Sequence, residues 1–259
     1  MNLGKIKPIN IFFWSLYGKK KILDFFIEQQ KKITNLQKQQ LSITEIRKKT
    51  DEYFKKNLID TCFSLKIEQK INTSSWVTIP NYINDEDFSK LFQTKRNLVE
   101  LTPSDDLFCL FTSPINFDWQ QYIIQKSNNS LIFRTGFFTE EYEIYDSILQ
   151  GFNGLIIYCN MQDVYEIQLL TEIAREYKFT LIFLIHNKKQ LFTVLESDAP
   201  YIAISGVNSD NFKNNMQNLI QLSSFIPSSA KRIAWINNLE VKDKQILQQV
   251  GYEIFFEVH

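Results

Sequence analysis

The stretch that decides the fold runs from LIIY (Leu155–Tyr158) through LIFLI (Leu181–Ile185) to YIAI (Tyr201–Ile204). These runs are short and continuously apolar, whereas the residues between them, such as Val164–Tyr177, are amphipathic. Unbroken apolar runs of this length are typical of parallel strands that helices cover on both faces. The stretch therefore predicts successive strand–helix units of an α/β protein.

Further runs extend the pattern in both directions. They are Leu107–Phe111 (LFCLF), Leu131–Phe133 (LIF), Ile233–Ile236 (IAWI) and Ile254–Phe256 (IFF). From Leu131 onward the run starts are 24, 26, 20, 32 and 21 residues apart, about one strand–helix unit each. One earlier strand within residues 65–80 brings the count to eight, which predicts a (β/α)₈ barrel. A doubly wound open sheet is the alternative, although it usually has fewer strands and a glycine-rich first turn.

The first 60 residues have a different pattern. Residues 20–58 carry apolar side chains at helical spacing among Gln, Lys and Glu, and Ser42 with Glu45 forms a capping box that begins a second helix. We divide the chain into an N-terminal arm with helices that pack on the barrel (1–60) and the barrel itself (61–259). The apolar segment Ile9–Tyr17 (INIFFWSLY) is too short to span a bilayer. It predicts an amphipathic segment packed on its own domain or, alternatively, a weak membrane or protein contact, with no transmembrane segment.

The composition argues against several function classes. Lys+Arg and Asp+Glu balance at 29 each, so no overall basic field attracts nucleic acid. Only seven glycines occur, and neither G-x-G-x-x-G nor the P-loop motif is present, so we expect no nucleotide cofactor. The three cysteines are dispersed and the histidines number two, which argues against a disulfide framework and a metal centre. We therefore expect a cytoplasmic protein without cofactor or metal.

A series of short motifs at the strand ends carries a family resemblance. They are Phe133-Arg134-Thr135-Gly136-Phe137, Tyr142-Glu143-Ile144-Tyr145, Gly151 before Leu155, Thr180 to His186, and Ile202 to Asn208. In order and spacing they resemble indole-3-glycerol phosphate synthase, a lyase of tryptophan biosynthesis. The resemblance covers roughly 60% of the chain well and implies a TIM barrel, with the helices before residue 60 lying across its bottom.

The same resemblance implies a catalytic site that this chain has largely lost. The family closes an indole ring with a lysine acid, glutamates and a glycine-rich phosphate cradle. Its Arg-Lys-Asp-Phe motif stands here as Arg134-Thr135-Gly136-Phe137, and its glutamate on the fifth strand as Leu184. Its Asn-Asn-Arg-Asn becomes Ser205-Gly206-Val207-Asn208, and its Glu-Ser-Gly becomes Trp235-Ile236-Asn237. Neither threonine nor leucine exchanges a proton near neutral pH, and the substitutions also make a phosphate ligand doubtful.

The position of the first strand is open between two alignments. One keeps a glutamate and a lysine two residues apart, as the family does, in Glu68 and Lys70. The other places Trp76 and Thr78 there. The chain ends at His259, about where the eighth strand ends, so we expect a last unit truncated before its phosphate loop and helix.

Two functional hypotheses follow. The first is a degenerate barrel, a pseudoenzyme without efficient synthase activity that is kept for binding or another role. The second is an active synthase with a rebuilt site that uses Glu68 and Lys70. Other conspicuous residues have structural interpretations: His186 has no evident carboxylate partner, Glu140, Glu141 and Glu143 favour a helix N-terminus, and Trp235 fills the barrel mouth. We expect the mouth to be apolar and plugged.

Overall fold

The computed structural model describes residues 19–57, 76–79, 107–111, 131–136, 138, 140–159, 163–206, 215–237 and 239–258. The strands are β1 (Trp76–Ile79), β2 (Leu107–Phe111), β3 (Leu131–Gly136), β4 (Gly154–Tyr158), β5 (Thr180–Ile185), β6 (Tyr201–Ser205), β7 (Lys231–Asn237) and β8 (Tyr252–Val258). The helices are α1 (Lys19–Gln40), α2 (Ile43–Asn57), α3 (Glu141–Leu149), α4 (Val164–Glu176), α5 (Lys188–Leu195), α6 (Met216–Ser223) and α7 (Val241–Gln249).

The strands pair in parallel, each with its neighbours in sequence, and β8 pairs with β1 to close the sheet into a barrel. From β3 onward a helix follows each described strand up to β7. The predicted α/β class is confirmed, and the doubly wound alternative is wrong because an open sheet would leave β1 and β8 unpaired. The predicted boundary at residue 60 and the segment 9–17 lie outside the described residues.

The alternation of side chains along the strands produces two apolar cores. The core between the sheet and the helices is the larger one, and Leu155, Phe183 and Leu219 belong to it. The second core fills the barrel and consists of Phe133, Ile156, Ile182, Leu184, Ala203, Ile233, Trp235, Ile254 and Phe256. Residues on both faces of β3 to β8 are therefore buried, which explains why the runs in the sequence are unbroken there.

Glycine is required at two positions by close packing. A Cβ atom on Gly154, at the start of β4, would lie 2.4 Å from the Phe133 ring and 2.5 Å from the carbonyl oxygen of Thr180. Gly251, between α7 and β8, has a φ of +91°, and a Cβ atom there would lie 1.9 Å from Nη1 of Arg232. A side chain at either position would disturb the sheet or the turn that leads into it.

Helix α1 packs against the N-terminal end of α3. The carboxylate of Glu143, which is 1% exposed, accepts hydrogen bonds from Nε2 of Gln30 at 3.0 Å and Oγ1 of Thr34 at 2.9 Å. Lys38 forms an ion pair with Glu140, the N-cap of α3. These contacts lie at the end of α3 that follows the carboxyl end of β3. The expectation that this helix lies across the bottom of the barrel is therefore wrong, because the buried carboxylate near the top of α3 holds it there.

Helix α2 begins at the predicted capping box, in which the backbone N–H of Ser42 donates to Glu45 at 2.9 Å and that of Glu45 donates to Oγ of Ser42 at 3.3 Å. Ile46 of α2 is buried in the outer core. The hydroxyl of Tyr177, at the C-cap of α4, donates to Asp51 at 2.6 Å. Helix α2 therefore packs against α3 and reaches the lower end of α4.

Within the part of the chain that the structure describes, no helix is both long enough and apolar enough to cross a bilayer.

Candidate functional site at the carboxyl end of the barrel

The carboxyl ends of the strands form the end of a (β/α)₈ barrel where functional residues are concentrated. Strand pairing places Thr135 beside Ile156, Tyr158 beside Leu184, and Ser205 beside Trp235. Directly paired residues of neighbouring parallel strands face the same side, and Ile156, Leu184 and Trp235 belong to the barrel interior. The four predicted mouth positions, Thr135, Leu184, Ser205 and Trp235, therefore all face the barrel axis.

Aromatic rings form a continuous layer across this end. The Trp235 ring stacks on the Phe256 ring, with centroids 5.1 Å apart. The Trp235 and Tyr158 rings form a T-shaped pair, with centroids 6.5 Å apart. Tyr158 in turn stacks on the imidazole of His186, with centroids 6.5 Å apart and an interplanar angle of 14°. Trp235 is 5% exposed and Phe256 is fully buried. These four rings lie in a row over the inner core at the ends of β4, β5, β7 and β8.

Leu184 lies beneath this layer and is fully buried. Its register partners are Tyr158 on β4 and Ala203 on β6, so its side chain is enclosed by apolar neighbours of the inner core. The resemblance implies a glutamate at this position. A carboxylate enclosed in this way would be separated from water and could not ionise without a large desolvation cost.

Thr135 and Arg134 occupy opposite faces of β3. The Thr135 side chain is fully buried, and its hydroxyl has no hydrogen-bond partner among the residues that the structure describes. Arg134 faces the helices instead, where Nη1 donates to Asp146 at 3.0 Å and to Ser147 at 2.9 Å. Arg134 therefore anchors α3. Thr135, where the resemblance implies a lysine acid, carries a neutral hydroxyl.

Strands β5 and β6 are tied together at their ends by Asn218 of α6. Its Nδ2 donates to the backbone oxygen of His186 at 3.3 Å and to that of Ser205 at 3.2 Å. The backbone N–H of Gly206 donates to the carbonyl oxygen of Trp235 at 2.7 Å, which joins β6 to β7 in the same region. This amide could not be predicted from the sequence, because nothing in the local pattern around Asn218 indicates a contact with two strand ends.

His186 has a structural setting. Its backbone N–H donates to Oε1 of Gln190 at 2.6 Å, and its ring stacks on Tyr158. Burial lowers the pKa of this imidazole below its ordinary value. Tyr158 and Phe256 also lie at the mouth, although neither was among the predicted mouth residues. Tyr158 lies two residues after Ile156 on β4 and therefore faces the same side of the sheet. Phe256 faces the barrel interior because it pairs with Trp235.

For the other predicted site residues, the structure does not describe the position of the side chain. Glu68, Lys70 and Asn208 lie outside the described residues. Asn237 ends β7, where its backbone pairs with Val258. Strand β1 is Trp76–Ile79, which is the stretch that the second of the two alignments uses, and Thr78 pairs with Cys109 on one side and Val258 on the other.

No metal-binding group of three or more histidine, cysteine, aspartate or glutamate side chains occurs within the described ranges. Cys159, which follows β4, is a free and buried thiol. Burial raises the pKa of this thiol well above its ordinary value, so the thiolate does not form near neutral pH. The described mouth therefore consists of aromatic rings, one leucine and neutral hydroxyls, with the His186 imidazole at its rim.

The curated proteins with significant sequence similarity to this chain include indole-3-glycerol phosphate synthases from several bacteria. Over 135 residues the chain is 27% identical to the indole-3-glycerol phosphate synthase of Legionella pneumophila (strain Paris), covering 51% of this chain and 52% of that protein. The synthase of Campylobacter fetus subsp. fetus (strain 82-40) is 27% identical over 124 residues, which are 47% and 48% of the two chains. The chain is distantly similar to these synthases. It spans about half the length of the curated relatives that it matches, and no protein-family model matches it.

Solved structures agree on the fold. The YdjI aldolase from Escherichia coli K12 aligns with a TM-score of 0.52 at 11% identity, over 76% of this chain and 78% of the aldolase. A thiamine phosphate pyrophosphorylase from Pyrococcus furiosus aligns with a TM-score of 0.51 at 10% identity, over 74% and 87% of the two chains. At these identities the similarity supports the architecture and says nothing about the reaction.

Proposed function

We propose that this chain is an indole-3-glycerol phosphate synthase-like barrel that has lost efficient synthase activity and is kept for binding or another role. The burial of Leu184 among apolar side chains beneath the Trp235 ring is the observation that carries the proposal. In the synthases, as the resemblance implies, this end of the barrel holds ionisable acid and base groups. Here an apolar plug occupies the same space.

The expected loss of rate follows from the chemistry. Each acid or base group contributes about 10²–10⁴-fold to a reaction of this kind, and each electrostatic donor roughly 10²–10³-fold. The positions of the lysine acid and the fifth-strand glutamate carry Thr135 and Leu184, and Trp235 stands where the resemblance implies another glutamate. A barrel without these groups retains little of the rate enhancement.

We extend the proposal to the ligand and the compartment. Barrels usually bind phosphate after the seventh and eighth strands through backbone N–H groups and glycines. The segment Asn237-Asn238 follows Ile236 at the first of these places and contains no glycine, which supports weak or absent binding of a phosphorylated substrate. Dispersed cysteines and a free buried thiol at Cys159 support a reducing compartment such as the cytoplasm.

The alternative, an active synthase with a rebuilt site, depends on Glu68 and Lys70 at the end of the first strand. Strand β1 at Trp76–Ile79 favours the alignment that does not use them there. We therefore rank this alternative second.

Complementation tests the proposal. The full chain is expressed in a tryptophan auxotroph that lacks the synthase, with the Legionella pneumophila synthase as the positive control and an immunoblot to show soluble chain. We expect no growth without tryptophan. Growth at the rate of the positive control would overturn the proposal, and growth that Glu68→Gln abolishes would support the rebuilt site.

A further inference from the structure

Helix α5 carries an exposed stripe with an unusual charge order. Lys188, Phe192 and Glu196 follow one another at a spacing of four residues and therefore lie on one face of the helix. All three are exposed, and Phe192 retains 44% of its surface. From the N-terminus to the C-terminus of the helix, the stripe therefore presents a cation, an aromatic ring and an anion.

This order opposes the helix dipole. Anions stabilise a helix N-terminus and cations its C-terminus. Helix α5 has no acidic residue in its first turn and no basic residue in its last, while Lys188 lies in the first turn and Glu196 is the C-cap. About 12 Å of helix separates the two charges, too far for an ion pair. No ion pair joins either side chain to another group within the described residues; Lys188 instead lies over the Phe225 ring, 4.1 Å from its centroid.

A second copy of α5, antiparallel to the first, would place an opposite charge beside the cation at the N-terminus and beside the anion at the C-terminus. Rotation by two-fold symmetry about Phe192 places the Glu196 of a second chain beside Lys188, and the Lys188 of that chain beside Glu196. Each N-terminus then faces an anion and each C-terminus a cation. The two Phe192 rings meet at the centre, where aromatic side chains commonly form the anchor of an interface.

The neighbouring surface suits the same pairing. Residues 214–230, which include α6 and the loop after it, contain no charged side chain. Ile220 and Phe225 of this segment are 37% and 42% exposed, and the Phe225 ring contacts Phe192 at 5.9 Å. Two-fold symmetry that makes α5 antiparallel to its copy also brings α6 to face its copy. An uncharged α6 meets itself without repulsion.

We propose that the α5–α6 face is a self-association surface, and that two copies of this chain pair through antiparallel α5 helices with Lys188 of each chain bound to Glu196 of the other.

Sedimentation equilibrium of the full chain tests this proposal through charge reversal. We expect a monomer–dimer equilibrium that weakens as salt is added. Lys188→Glu and Glu196→Lys should each weaken dimerisation at least about tenfold, because two ion pairs become two like-charge contacts. An equimolar mixture of the two variants should form heterodimers, and the double variant should dimerise like the native chain. Rescue in the mixture also proves that both variants are folded.

Matched controls come from α7, where Lys242 and Glu240 form an exposed ion pair at 2.8 Å. Lys242→Glu and Glu240→Lys make the same charge changes there and should leave the dimer unchanged. A native chain that stays monomeric at about 200 µM would overturn the proposal, since a Kd above that value leaves no specific dimer of use. The proposal would also be overturned if Lys188→Glu and Glu196→Lys each dimerised as tightly as the native chain, or if an equimolar mixture of the two variants formed no heterodimer.

Discussion

A carboxylate placed at Leu184 should destabilise the barrel strongly and in a pH-dependent way. Leu184 is fully buried in the inner core beside Tyr158. Leu184→Glu removes the burial of one leucine, worth about 2 kcal/mol. Enclosure in the same space raises the pKa of the introduced carboxyl by about 2–3 units, which adds roughly 3–4 kcal/mol at pH 7. The sum, about 5–6 kcal/mol, is comparable with the whole stability of many domains.

The sign of the pH dependence follows from linkage. The introduced carboxyl has a folded pKa above its unfolded value of about 4.3, so below that pH both states are protonated and only the lost burial counts. Above it the unfolded state ionises first, and the penalty grows as pH rises toward the folded pKa. Urea unfolding at pH 4 and pH 7 measures both parts of the penalty.

Leu184→Gln is the control, because it has the same shape and hydrogen-bonding capacity without a titratable proton. Its penalty should be independent of pH. The reasoning fails if Leu184→Glu is as stable as the native chain at pH 7, or if its penalty is the same at both pH values, since either result would mean that water reaches the position.

Three further perturbations test other parts of the structure. Thr135→Val removes a buried hydroxyl without a partner among the described residues and should leave the free energy of unfolding unchanged or raise it by up to about 2 kcal/mol; a loss above about 1 kcal/mol would show that the hydroxyl is hydrogen-bonded. Glu143→Gln places an amide donor beside the donors of Gln30 and Thr34 and should lower the free energy of unfolding by about 1–3 kcal/mol. Amide hydrogen exchange in α1 should become faster, and unchanged exchange would show that the Glu143 carboxylate does not hold the helix. Desolvation, followed by the charge of Glu141, raises the pKa of Tyr145 from 10.0 to about 12. Stability should therefore fall as pH rises from 10 to about 12, and Tyr145→Phe should make that fall less steep in alkaline unfolding curves; an equal slope would contradict the assignment.

The strand order was predictable because it depends on a local property, the presence of apolar runs that both faces of a barrel strand require. Each described strand from β3 to β8 overlaps its run; Leu181–Ile185, for example, lies within Thr180–Ile185. The position of α1 could not be predicted in this way. It depends on Thr34 and Glu143, which are 109 residues apart and give no local signal of their contact.

The mouth was predictable only in part, for the same reason. Comparison with the family motif pointed to Leu184 and Trp235, and the structure places both in the inner core. Tyr158 and Phe256 complete the aromatic layer, but they become evident only when the register between strands is known. Asn218 bridges two strand ends from a helix, a contact that depends on tertiary packing alone.

The most direct test of the central claim is turnover by the purified full chain. The substrate is the synthase's carboxyphenylamino-deoxyribulose phosphate, product formation is followed by indole fluorescence, and the Legionella pneumophila synthase is assayed in parallel. We expect a rate at least about 10⁴-fold below that of the synthase, because several of the acid–base and electrostatic groups that the resemblance implies are replaced together. A rate within about tenfold of the synthase would contradict it, since no apolar mouth built from Leu184 and Trp235 could support that chemistry.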